Sequence, residues 1–144
     1  MFEDNLLTLM KAEKKTNTGN SVFIEFLNRL EGWKTRCKNL HWSAYRKNTH
    51  EYLDDFLEIL DNYQDGLAEG YMGIVGKLEP SIIEGIKSNA INPKDLILEI
   101  RNSTIDFYNK LPQETIYKGI TSECETFIQN LNKYKYLFDL CDVE

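Results

Sequence analysis

SVFIEFLNRLEGWKTRCKNLHWSAY, Ser21 to Tyr45, places Val22, Phe23, Phe26, Leu27, Leu30, Trp33, Cys37, Leu40 and Ala44 at the three- and four-residue intervals of one helix face. At about 100° per residue they fill an arc of roughly 140°. The segment is therefore predicted to be an amphipathic helix with one buried side. This sets the fold class, because the same period recurs downstream and no stretch alternates with the period of two that a half-buried strand needs. Upstream, TNTGNS reads as a loop with Asn20 or Ser21 as N-cap and Glu25 in the first turns. Residues 1–20 are then an N-terminal arm or short helix, and residues 21–144 form the main domain.

From Thr49, a plausible N-cap, to Leu78, the residues Leu53, Phe56, Leu57, Leu60, Tyr63, Leu67, Tyr71 and Ile74 share one side of a second helix, which Pro80 ends. Gly66, Gly70, Gly73 and Gly76 weaken its second half by about 1 kcal/mol each relative to alanine, marking a close approach or a bend. SIIEGIKSNAIN, Ser81 to Asn92, mixes a short apolar turn with helix breakers and suits a crossing connection that carries a short helix. Pro93 opens a third helix at its first position, with Ile97, Ile100, Ile105 and Tyr108 on one side. After Pro112 comes a fourth, QETIYKGITSECETFIQNLNKYKYLFDL, with Ile116, Ile120, Phe127, Leu131 and Leu137 in period. Four helices with one long central connection predict an all-α, ferritin-like four-helix bundle.

Composition bounds the function. A chain of 144 residues buries roughly 70% of its unfolded surface, enough for one core without staples. No apolar run reaches the roughly 20 residues that span a bilayer, and MFEDNLLTLMKAEKK lacks the basic and apolar regions of a secretory signal, so a soluble, cytoplasmic protein is expected. Cys37, Cys124 and Cys141 are odd in number and widely spaced, which reads as free thiols rather than disulfides or a zinc site. The net charge of −6 offers phosphate no general attraction. Lys11, Lys14 and Lys15 are interleaved with Glu3, Asp4 and Glu13, so DNA binding is expected to be weak or absent.

The chemistry concentrates around the only two histidines, His41 and His50. With His50 as the origin of the second helix, Asp54, Asp61, Asp65 and Glu69 fall at roughly 40°, 20°, 60° and 100°. The apolar arc of the same helix centres near 280°. The acids thus form one stripe that faces away from the chain's own core. A solvated surface is the ordinary account of such a stripe, and a half-buried packing residue is the ordinary account of His41. Against both, Asp61, Asp65 and Glu69 have no lysine or arginine three or four residues away to offset their repulsion. Neutral imidazole with carboxylate is, moreover, a ligand mixture suited to Fe(II), Mn(II) or Zn(II).

CKNLHW, NTHEYLDD and DGLAE together resemble the fingerprint of the Dps proteins, the small ferritin-like proteins that oxidise iron in starved bacterial cells: a lysine-containing turn with His-Trp, a second His followed by Glu, then Asp and Glu four residues apart. The likeness runs from about residue 21 to 76. The interval between the histidines is a few residues shorter than in the family and lacks its usual glycine. Carried over by position, the resemblance implies that His41, His50, Asp65 and Glu69 are catalytic and metal-binding and that Asp54 holds a second ion or orients His50. It implies sites shared between two-fold mates of a homo-oligomer of twelve subunits. The implied reaction is ferroxidation of Fe(II), with hydrogen peroxide as oxidant and ferric mineral stored in the hollow shell. Trp42 and nearby tyrosines would intercept stray oxidising equivalents, and Glu99, Asp106, Glu114, Glu123 and Glu125 are candidates for an acidic pore. A Dps-like structural or shell component without turnover, and a bundle that holds zinc or manganese structurally, are the competing readings.

Overall fold

A computed structural model describes the main chain of residues 2–142 and the side chains of residues 21–142. It is all-helical, with α1 Phe2–Ser43, α2 Lys47–Val75, α3 Pro93–Asn109 and α4 Lys118–Cys141, and one 3₁₀ turn at Thr115–Tyr117. The apolar residues that define the period of Ser21–Tyr45 point inward as expected: Phe23 through Cys37 on that face are buried, while Val22, Leu40 and Ala44 are half-buried at its ends. They meet Leu53, Phe56, Leu60, Leu67 and Tyr71 of α2, Leu96, Ile97, Ile100 and Phe107 of α3, and Ile120, Phe127 and Leu131 of α4 in one core. Stacked rings lock it, with Phe26 on Phe107 and Phe23 on Tyr71, both at 4.0 Å. Such pairs contribute about 1 kcal/mol each beyond their buried area.

Contacts along the bundle set its directions. Phe23, midway along α1, meets Tyr71 late in α2 and Tyr117 just before α4, and Phe26 meets Phe107 late in α3. At the other end His41 meets His50, and Arg46 reaches the main-chain carbonyl of Cys141. Helices α1 and α4 therefore run one way and α2 and α3 the other, and residues 76–92 must travel the length of the bundle between them.

That connection follows α1 as an extended strip. Asn28 holds its first part: the side-chain oxygen accepts the N–H groups of Glu84 and Gly85, the amide donates to the carbonyl of Ile82, and the main-chain carbonyl accepts from Ile86. Arg36 donates to the carbonyl of Ala90. Between these, Glu99 of α3 accepts both the indole N–H of Trp33, at 2.8 Å, and the hydroxyl of the buried Ser88, at 2.6 Å. The helix expected within Ser81–Asn92 is not formed. Five of its main-chain groups, the carbonyls of Ile82 and Ala90 and the N–H groups of Glu84, Gly85 and Ile86, bond α1 instead of one another, which removes the need for local helix.

Other boundaries also move. The loop expected at TNTGNS is replaced by continuous helix in α1, since Asn, Thr and Gly cost less than about 1 kcal/mol each inside a helix that already propagates. The side chains of Lys11, Lys14 and Lys15, and with them any role of an arm, lie outside the described residues. Helix α2 starts at Lys47 with Arg46, not Thr49, as N-cap, and it ends at Val75, where Gly76 takes φ 97°. Helix α4 starts at Lys118. Ile105 and Ile116, placed on the buried stripes by period alone, are exposed.

Candidate functional site

The turn 44–46 reverses the chain between α1 and α2 so tightly that the ends of the two helices stand side by side. His41 occupies the last turn of α1 and His50 the first turns of α2. Their imidazoles stack with ring centres 3.7 Å apart and planes inclined by 19°. Each Nδ1 lies 2.8 Å from the other residue's main-chain carbonyl oxygen. A carbonyl can only accept, so both Nδ1 atoms carry the hydrogen and donate it. In the neutral rings this leaves the lone pair on Nε2, and neither Nε2 has a partner among the described residues. Fixing of the tautomer by an Nδ1–H bond to a carbonyl is the arrangement that prepares an imidazole to bind metal through Nε2.

The stack also limits what the pair can do. A metal must lie near the plane of each ring that binds it, about 2 Å from the nitrogen. With ring centres 3.7 Å apart and planes inclined by only 19°, the two planes meet well beyond that distance from either ring. As they stand the two imidazoles serve separate ions, and a single ion on both requires one ring to turn off the stack. The short turn between the helices is what permits the reciprocal clamp, because three turn residues leave the two side chains little room to diverge.

Asp54 lies one turn beyond His50, exposed, in an open groove of about 340 Å³ lined also by Lys34, Lys38, Leu57, Glu58 and Asp61. Its charge reaches inward far enough to add to the burial that pushes the Cys37 thiol up to about 12. Asp61 is less isolated than its own helix suggests. Lys34 of α1 bonds it at 2.9 Å, and also bonds Gln64 at 2.8 Å and Glu31 at 3.2 Å. Burial disfavours the Lys34 charge, but the bonds from Asp61 and Glu31 outweigh it and raise its pKa. The bond from Gln64, against burial and with help from Lys34, lowers that of Glu31. The repulsion within the stripe is thus answered at Asp61 by a cation on the neighbouring helix, which a search along one helix misses.

Among the described residues Asp65 and Glu69 have no such cation. Both are exposed and form no hydrogen bond or ion pair among the described residues. They stand fifteen and nineteen residues beyond His50, roughly 22 and 28 Å along α2. The fold therefore brings His41, His50 and Asp54 to one end of the bundle and leaves Asp65 and Glu69 well outside coordination reach within the chain. In agreement, no group of three or more metal-ligating side chains occurs among the described residues. Of the acids considered for a pore, Glu99 is turned inward onto Trp33 and Ser88, Asp106 pairs with Lys110, and Glu125 accepts from Tyr108. Trp42 and Tyr45 beside the clamp are exposed, Trp42 at 71%. No helix of the described residues is long and apolar enough to cross a membrane. No protein-family model matches the chain, and neither a curated protein nor a solved structure matches it.

Proposed function

We propose that this chain is a Dps-like miniferritin: a cytoplasmic, ferritin-like bundle that binds Fe(II) between two-fold mates of a homo-oligomer, oxidises it and stores the ferric product. The observation that carries the reading is the histidine clamp, which holds both Nε2 lone pairs free at the rim of the bundle. Support comes also from the two carboxylates of the same helix, roughly 22 and 28 Å away, exposed and without a partner among the described residues. An antiparallel, isologous contact between two α2 helices brings residue i of one beside residue 115 − i of the other when His50 is set against Asp65. It thereby assembles imidazole and carboxylate at two equivalent sites. One such register also sets Arg46 near Glu69 of the mate. The exposed Trp42 and Tyr45 are then covered by the contact.

In this reading Fe(II) is the substrate. His41 and His50 each hold one Fe(II) through Nε2, and Asp65 and Glu69 of the mate complete the shells and favour the harder Fe(III) that forms. Two Fe(II) each give one electron to one hydrogen peroxide, whose O–O bond breaks to give water on uptake of two protons. The charge of −6 draws cations to the assembly.

One observation favours a second reading, a Dps-like scaffold or shell component without turnover. The Nδ1–H of His50 satisfies a carbonyl in the last turn of α1, where main-chain acceptors have no helical partner, so the clamp also serves as a staple of the turn. Anaerobic Fe(II) titration followed by peroxide separates the two. Growth of ferric absorbance, with more iron held per subunit than two sites accommodate, is expected for the miniferritin. Absence of both oxidation and a species larger than a monomer on size exclusion refutes it.

A further inference from the structure

The clamp is built on a turn whose seat is another helix. Arg46 is the N-cap of α2, in extended conformation and with no cap bond from its own side chain. Its carbonyl accepts the N–H of His50, the first bond of α2, at 3.0 Å. Its guanidinium reaches across the end of the bundle and donates to the main-chain carbonyl of Cys141, the last residue of α4. There it meets the negative end of a helix and an acceptor without a helical partner. The same last turn of α4 is held from the other side by Lys94, which pairs with Asp139 at 3.2 Å and Asp142 at 2.6 Å. Cys141 itself is buried. One residue thus joins His50 through its main chain to a rigid, twice-anchored helix end through its side chain.

We propose that Arg46 is a positioning residue for the histidine pair: it fixes the turn 44–46 against the C-terminal end of α4 and so holds both imidazoles in the Nδ1–H form with Nε2 free. Without it the turn keeps its length and the packing of Ala44 but loses its only described side-chain hydrogen bond to another helix. The two rings can then slide apart and return to the Nε2–H form that free histidine prefers. The metal consequence rests on the function proposed above, whereas the tautomer consequence does not.

The test is a long-range proton–nitrogen NMR spectrum of the imidazoles in the metal-free protein, at a pH where both are neutral, for the unaltered chain, Arg46→Met and Arg46→Lys. The methionine keeps the aliphatic stem and removes the donors; the lysine keeps the charge and removes the planar fork. The ratio of Nδ1–H to Nε2–H is expected to fall at least tenfold in Arg46→Met and less in Arg46→Lys. Co(II) affinity, measured by calorimetry with Co(II) alone, is expected to fall tenfold or more in Arg46→Met, in the range found when the partner orienting a ligand is lost. Circular dichroism checks the fold, and if Arg46→Met does not fold, Arg46→Lys carries the comparison. An unchanged tautomer ratio in whichever variant folds overturns the proposal. Failure of the unaltered chain to bind Co(II), with the ratio still falling in the variants, overturns the metal reading and leaves the positioning role standing.

Discussion

Gly32 of α1 lies directly against the main-chain carbonyl of Ile86: a Cβ added to it would stand 1.7 Å from that oxygen. The crossing connection can follow α1 this closely only because residue 32 has no side chain. Gly32→Ala must push main chain away from main chain, with no flexible group to yield. It is expected to lower stability by about 2–3 kcal/mol, read as a fall in the urea midpoint at unchanged slope. Gly73 of α2 is the control, since nothing lies within 4 Å of its added Cβ. There the ordinary helix preference for alanine operates, and Gly73→Ala is expected to stabilise by roughly 0.5–1 kcal/mol. The same substitution thus has opposite signs on two helices.

Trp33 to Glu99 is the second fastening of the connection. The indole N–H and the Ser88 hydroxyl share one carboxylate oxygen, so Trp33→Phe keeps most of the buried ring and removes one of its two donors. A partly desolvated carboxylate left short of a donor costs about 1–3 kcal/mol. The melting temperature is expected to fall accordingly, with faster amide exchange at Ala90, whose N–H bonds Ser88.

Lys34 gives a dependence on pH. The Glu31 pKa lies below its ordinary value of 4.5, so its contribution to stability is complete above that pH and fades as the pH drops through the lowered value. The Lys34 pKa lies above its ordinary 10.5, so its contribution is complete below 10.5 and fades as the pH rises through the raised value. Lys34→Met removes three bonds. Because Asp61 is exposed and Glu31 only half-buried, the loss at neutral pH stays near the surface range, about 0.5–1 kcal/mol. The gap between the melting curves of the two proteins is expected to be flat from about pH 5 to 10 and to close on either side. A gap that stays constant down to pH 2 would refute the assignment.

Whatever rests on local repetition was legible in the sequence. The apolar period of Phe23 to Cys37 and of Leu53 to Tyr71 predicts which side is buried, because helix geometry alone relates those positions. Ile105 and Ile116 satisfy the same period and are exposed, since no neighbouring element among the described residues covers their part of the arc. Ser81–Asn92 reads as partly helical yet is extended, because five of its main-chain groups bond Asn28 and Arg36, more than fifty residues away. The histidines drew attention by type and spacing, yet their stacking and reciprocal bonds follow from a turn length whose consequence is three-dimensional. Lys34 escaped notice because it offsets Asp61 from another helix, and Arg46 because an arginine in a turn has no signature until the C-terminal end of α4 is placed beside it.

Asp65 and Glu69 carry the last expectation. Both are exposed, and make no hydrogen bond or ion pair among the described residues, on a helix whose buried face is made by Leu60, Leu67 and Tyr71. The double change Asp65→Ala with Glu69→Ala is expected to leave the stability of the protomer within about 0.5 kcal/mol, since alanine also has the better helix propensity. Leu67→Ala, two residues away and fully buried, is expected to cost about 2–5 kcal/mol. If the two carboxylates meet the imidazoles of a mate, the double variant loses peroxide-dependent Fe(II) oxidation. A mixed oligomer of the double variant with a His41→Ala, His50→Ala chain then regains part of it, because one mate of each pair supplies intact histidines and the other intact acids. Full oxidation by the double variant alone would remove these acids from the site, and a mixture with no more activity than its two components would show that the site is not shared.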